Sequence, residues 1–242
     1  MIRQDPSPGM IREAIILAGG LGTRLRSAVP DLPKCMAPVK GRPFIGYVID
    51  YFRRAGIERF IFALGYKSDH FESFLRGEFP DGGYDISLEA EPLGTGGAIR
   101  LACTLAKDPV VLVLNGDTFF RIGLRELSAF HDSHRADCTL CLRPMENFDR
   151  FGVVELDDSY RITRFREKQH YTTGLINGGV YALDRRQFLQ EELPDKFSFE
   201  KDYLEAFYTR RRLFGLVQND DFIDIGIPGD YNRVQQEINQ LL

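Results

Sequence analysis

The sequence predicts an α/β fold, a mainly parallel β-sheet with helices packed against its faces. Two patterns predict it. Through the first half, short apolar runs bounded by turn residues alternate with amphipathic stretches, the rhythm of strand–helix–strand units. The strand-like runs are also continuously apolar, as in Val110-Val111-Leu112-Val113-Leu114, which calls for burial on both faces. With 242 residues and 43% hydrophobic content, the chain has enough core to fold alone.

Residues 14–17 read as the first strand. An amphipathic helix at 44–55, a strand at 60–64, a helix at 70–76, a strand at 86–88, a helix at 97–105 and the most apolar strand at 110–114 follow. Beyond Ala136 the strand candidates become shorter and closer: 138–143, 153–156, 162–165 and 178–182, with helices at 199–208 and 231–242. Residues 1–10, containing Asp5-Pro6-Ser7-Pro8-Gly9, read as a disordered lead-in, and Met10 is a candidate natural start. Residues 11–242 are then one domain, with a first half of about 11–135 and a second half of about 136–242. No internal repeat or low-complexity linker divides it.

A net charge of −4 argues against a nucleic-acid surface, which needs a clustered basic excess. No run of 18 apolar residues and no signal-like N-terminus occurs, so a soluble cytoplasmic protein without membrane attachment is expected. Arg210-Arg211-Arg212 suits either a solvated face or an interface, and a homo-oligomer is left open. Of the four cysteines, Cys138 and Cys141 have CxxC spacing but lie in a strand. Residues three apart on a strand face opposite sides, so they are expected to be buried thiols that share no metal.

Chemistry first appears where the opening strand ends. Leu17-Ala18-Gly19-Gly20-Leu21-Gly22-Thr23-Arg24-Leu25 offers glycines, whose backbone N–H groups can approach phosphate oxygens, and an arginine able to grip them. A plain strand-to-helix turn would also use those glycines. The dinucleotide pattern GxGxxG fails because its last position is Leu25, and no GK[ST] follows, so nicotinamide and P-loop readings weaken. Ten residues after Arg24, Pro33-Lys34-Cys35-Met36-Ala37-Pro38-Val39 places Lys34 between prolines, in a constrained extended loop. Asp117 follows the most apolar strand and Asp224 follows Phe222-Ile223, so both carboxylates are expected at strand ends facing a cleft, as hard ligands for Mg²⁺. His131 and His134 have ligand-like spacing but sit on a polar helix, where surface positions are expected.

The combination GGxGTRL followed by PKxxxPV resembles the signature of the sugar-1-phosphate nucleotidyltransferases. The resemblance continues through Glu91-Pro92-Leu93-Gly94-Thr95-Gly96-Gly97-Ala98, Asn115-Gly116-Asp117, Phe165-Arg166-Glu167-Lys168, Asn177-Gly178-Gly179-Val180-Tyr181 and Asp224-Ile225-Gly226-Ile227-Pro228. It implies a Rossmann-like mixed, mainly parallel sheet flanked by helices, of the nucleotide-diphospho-sugar transferase type. It also implies attack of a sugar-1-phosphate oxygen on the α-phosphorus of an NTP, with pyrophosphate leaving. No protein nucleophile is then needed, because a phosphate monoester is already largely dianionic at neutral pH.

By this resemblance the catalytic residues are Arg24, Lys34 and Asp117, with Asp117 and Asp224 holding Mg²⁺. Leu17, Ala18, Gly19, Gly20, Gly22, Thr23, Arg24, Glu91, Gly94, Thr95 and Gly96 bind the nucleotide. Gly152, Glu167, Lys168 and Asn177 bind the sugar phosphate, with Lys168 on its phosphate. Glu91 falls near the base-reading position, where a carboxylate accepts from both N1–H and N2–H₂ of guanine. Within the family the motifs look most like the branch that uses GTP and a manno-heptose 1-phosphate. A uridylyltransferase for N-acetylmuramate 1-phosphate or another hexose 1-phosphate is the alternative, Arg24-Leu25-Arg26-Ser27 departs from the thymidylyltransferase pattern, and a catalytically silent nucleotide-sugar-binding regulatory module is the reading from another class.

Overall fold

The computed structural model describes residues 9–19, 32–65 and 68–241. Four parallel strands form its first half: β1 (Glu13–Leu17), β4 (Arg59–Leu64), β5 (Tyr84–Leu88) and β6 (Val110–Asn115). They lie in the order β6-β1-β4-β5, with Ile15 opposite both Ile61 and Val113. Helices α1 (Phe44–Ala55), α2 (Ser68–Glu78) and α3 (Gly94–Cys103) connect or cover them. The short strands β2 (Pro38–Val39) and β3 (Arg42–Pro43) make a small hairpin before α1.

Alternate residues of these strands feed two separate cores. Ala14, Ile16, Phe60, Phe62, Leu112 and Leu114 face one core shared with α1, and Ile15, Ile61, Val111 and Val113 face another shared with α3. Burial on both sides is what the continuous apolar runs required.

The second half extends the sheet with antiparallel partners. After β7 (Thr118–Phe120) and α4 (Leu124–Ser133) come β8 (Cys138–Phe148), β9 (Val153–Leu156), β10 (Ile162–Arg166) and the 14-residue β11 (Tyr171–Asp184). β11 pairs antiparallel with β6, β8 and β9, completing a mixed nine-stranded sheet. The expected strand at 178–182 is therefore only the end of a longer one. Gly178-Gly179 does not stop it; the β8 register shifts between Asn177 and Tyr181, so the glycines form an irregularity inside the strand. The helix α5 (Arg185–Phe188), a π-helix at Phe199–Glu205, β12 (Leu213–Val217), β13 (Phe222–Asp224) and α6 (Pro228–Leu241) finish the chain.

Cys138 and Cys141 lie on opposite sides of β8, in different cores, as buried free thiols. His131 departs from expectation. It is buried at 5% exposure, because α4 turns this face onto the sheet, and its Nδ1 lies 3.0 Å from Thr139 Oγ1. His134 is half-buried and stacks on Phe130 at 4.0 Å. Among the described residues no helix is long and apolar enough to cross a membrane.

Candidate active site

The carboxyl ends of β1 and β6 form the floor of the site. Gly116 donates its N–H to the Leu17 carbonyl at 2.9 Å, and a Cβ at Gly116 would lie 2.7 Å from that oxygen and 3.3 Å from Cys35 Cβ. Only glycine permits this approach, and it fixes the direction in which Asp117 leaves the strand. Ala18 continues β1 by donating to Ala63, and Gly19 lies against Gly65.

Lys34 opens a single 3-10 turn, Lys34–Met36, rather than lying in an extended loop. Met36 donates to the Pro33 carbonyl at 2.8 Å and Ala37 to that of Lys34 at 3.0 Å, while Cys35 and Met36 are buried beneath. Two adjacent core side chains anchor the turn, which leaves the Lys34 ammonium in the cleft. Burial, reinforced by the charge of Asp117, pushes the Cys35 thiol up, so it stays protonated and serves as packing.

Asp224 reaches the same point from the far end of the chain. β13 pairs antiparallel with β7, with Asp224 opposite Thr118, and Ile225 donates to the Asp117 carbonyl at 3.1 Å. The Lys34 ammonium lies 2.5 Å from Asp117 Oδ2 and 3.5 Å from Asp224 Oδ1. Gly226 N–H also donates to Asp224 Oδ1 at 2.7 Å, and Thr118 Oγ1 stands 3.4 Å from Asp117 Oδ1. Among the described residues no set of three or more His, Cys, Asp or Glu converges as a metal cage. The donors at this point are two hard carboxylates, a set that suits Mg²⁺, which keeps waters and phosphate oxygens as its remaining ligands.

The residues expected on the sugar side gather at one end of three neighbouring strands. Val153 pairs with both Arg166 and Ile176, so Gly152, Glu167 and Asn177 are each one position from these partners. Glu167 and Lys168 are exposed on the loop after β10. Asn177 is tied down within its own strand: its amide donates to Tyr181 Oη at 2.9 Å and its carbonyl accepts from Gly179 N–H at 3.0 Å.

Gly94, Thr95 and Gly96 begin α3, where a second partner claims them. The Thr95 hydroxyl donates to Glu200 Oε2 at 2.8 Å and accepts from Phe199 N–H at 2.9 Å, and Gly96 donates to the Phe197 carbonyl at 3.0 Å. A Cβ at Gly96 would stand 2.1 Å from the Phe197 ring. The motif thus has a packing role that its sequence did not disclose. Glu91 is exposed on the bend before α3. Two residues earlier, Glu89 Oε2 accepts from Leu93 N–H at 2.8 Å, and its other oxygen lies toward Gly19.

Sequence reasoning missed Glu89 and Arg150. The Arg150 guanidinium lies 2.8 Å from Asp230 and 3.9 Å from Asp224 Oδ2, which links the strand end at Gly152 to the carboxylate cluster. Its one sequence signal was its position two residues before Gly152. Gly20, Gly22, Thr23 and Arg24 lie outside the described residues.

Residues 13–240 match the family model described as nucleotidyl transferase. The D-glycero-alpha-D-manno-heptose 1-phosphate guanylyltransferase of Aneurinibacillus thermoaerophilus is 44% identical over 230 residues, 95% of this chain and 100% of that protein. The protein of the same name from Campylobacter jejuni is 41% identical over 219 residues, covering 90% and 96%. The crystal structure of HddC from Yersinia pseudotuberculosis superposes with a TM-score of 0.84 at 35% identity, covering 94% of this chain and 100% of that one. HddC complexed with GMP-PN gives the same TM-score at 34% identity. Carrying a lysine and two aspartates at the junction of β1, β6 and β13, and similar along nearly its whole length to guanylyltransferases, the chain belongs to the nucleotidyl transferase family.

Proposed function

We propose that the protein transfers GMP from GTP to D-glycero-α-D-manno-heptose 1-phosphate, giving GDP-heptose and pyrophosphate. The observation that carries the chemistry is the convergence of Lys34, Asp117 and Asp224 on one point. Support for this pair of substrates comes from two relatives that carry that substrate in their names and match over nearly their full length, and from HddC complexed with GMP-PN.

In this reading Asp117 and Asp224 hold Mg²⁺, which when bound neutralises phosphate charge. Lys34 is then free to hold the α-phosphate as negative charge shifts toward the leaving pyrophosphate. Arg24 and the loop from Leu17 to Thr23, including Ala18, Gly19, Gly20 and Gly22, hold the outer phosphates. Gly94, Thr95 and Gly96 line the nucleotide side, with Glu91 reading guanine. Lys168 holds the phosphate of the sugar, and Gly152, Glu167 and Asn177 contact its hydroxyls. The work of the residues is alignment of two anions and neutralisation of their repulsion, since the attacking phosphate needs no general base. Residues 11–135 and 136–242 supply the nucleotide and sugar sides of one domain, acting in the cytoplasm.

The test is pyrophosphate release with Mg²⁺ across four NTPs and a panel of sugar 1-phosphates. Release confined to GTP with the manno-heptose 1-phosphate is expected. Release with UTP and an amino sugar would move the assignment to another substrate pair, and no release with any pair would overturn it.

A further inference from the structure

A cavity of about 310 Å³ opens between the outer end of β8, β13 and the first turns of α6, with Asp224 of the carboxylate cluster in its wall. Arg143, Arg150 and Arg233 line it, together with Phe148 and Phe222. Of its three carboxylates, Asp224 and Asp230 are committed to Arg150, and Asp224 also to Lys34, which leaves Asp149.

Arg143 and Arg233 have no ion pair with a carboxylate of the cavity. The Arg143 guanidinium donates to the Asp220 carbonyl and lies 5.8 Å from the Phe222 ring centroid. Arg233 pairs with Glu237 along its own helix at 3.5 Å. Burial lowers the Arg143 pKa from its ordinary value, and the charge of Arg233 adds to this against the opposing Asp221 and Asp220. Two guanidinium groups thus share one concavity, and both present donors in a planar fork suited to phosphate oxygens.

We propose that this cavity is an accessory anion site, separate from the nucleotide and sugar-phosphate positions, that takes a phosphate-class anion between Arg143 and Arg233. Arg150 connects it to the catalytic centre. Its guanidinium lines the cavity and also faces Asp224, so an anion in the cavity competes with Asp224 for Arg150. Occupancy then leaves more negative charge on Asp224 for a divalent cation. The site does not depend on which sugar the enzyme uses, so failure of the proposed substrate pair would not remove it.

Calorimetric titration of inorganic phosphate into the full chain saturated with GMP-PN tests the proposal. One phosphate per chain is expected. The double variant Arg143→Gln/Arg233→Gln should weaken binding at least about tenfold, the scale of losing charge-assisted hydrogen bonds, with pyrophosphate release at saturating substrates unchanged. Thermal unfolding checks that the variant is folded, and Arg143→Lys/Arg233→Lys, which keeps the charges without the fork, should bind with intermediate strength. Absence of binding, equal binding by the Gln variant, or one-for-one displacement of phosphate by the sugar 1-phosphate would each overturn a separate site. The last outcome would make the cavity part of the substrate pocket.

Discussion

The Lys34 ammonium and the Asp117 carboxylate meet at 2.5 Å across 83 positions of sequence. The contact depends on two packing decisions, the buried turn at Cys35 and Met36 and the close approach of Gly116 to Leu17. Removing the ammonium should therefore affect chemistry more than folding. Lys34→Ala is expected to lower kcat by at least ~10²-fold, the effect of losing one electrostatic contact in the transition state. Pyrophosphate release together with a melting curve measures both, and near-normal turnover would refute the catalytic assignment of Lys34.

Asp117→Asn and Asp224→Asn each remove one negative charge from the proposed cation position. Each should raise the Mg²⁺ concentration for half-maximal activity at least about tenfold, because hard cations depend on ionised oxygen ligands. Mg²⁺ titration of the initial rate reads this directly, and chelation should abolish turnover in the parent protein. Unchanged Mg²⁺ dependence in both variants would remove the two residues as ligands.

Gly96→Ala should destabilise the fold, since the added methyl would enter the Phe197 ring at 2.1 Å. Overpacking of this kind costs roughly 1–3 kcal/mol. Because the same contact seats α3 on the segment before the π-helix, the KM for the nucleotide should rise as well. Denaturant unfolding and initial rates separate the two effects, and wild-type stability would show that the ring moves aside freely.

His131 makes stability depend on pH. Burial lowers its pKa from 6.5 to about 4, outweighing the nearby Asp184, Asp132 and Asp137. Between those values the unfolded chain binds a proton that the folded chain excludes. This contribution is complete above pH 6.5 and is lost as pH falls toward 4, by on the order of 3 kcal/mol. His131→Asn should flatten that part of the unfolding free energy against pH. An unaltered slope would show that the loss comes from other groups.

The parallel half of the fold was legible because β1, β4 and β6 are apolar on both faces and the helices are amphipathic; α1 was read to its exact ends, whereas β5, where Asp85 and Ser87 alternate with apolar residues, was read only from Ile86. The beginning of β11 was not legible: the strand was expected to start at Gly178, but it starts at Tyr171 and those glycines form an irregularity within it. Lys34, Asp117 and Asp224 could be nominated from their motifs, and the structure brings these three together. Arg150 and Glu89 could not be nominated. Their significance comes from what packs against them through β13, α6 and α3, and no local pattern encodes those contacts. His131 was misjudged for a related reason: the polar composition of α4 conceals that one of its turns closes over β8.

The long strand β11 also sets the mechanics of the molecule. Its end, Val180–Asp184, is laced to β6 at five consecutive positions, while its beginning is laced to β8 from Tyr171 to Asn177. One backbone thus runs through both halves of the sheet like a keel. Swinging one half of the sheet relative to the other would break hydrogen bonds along that seam.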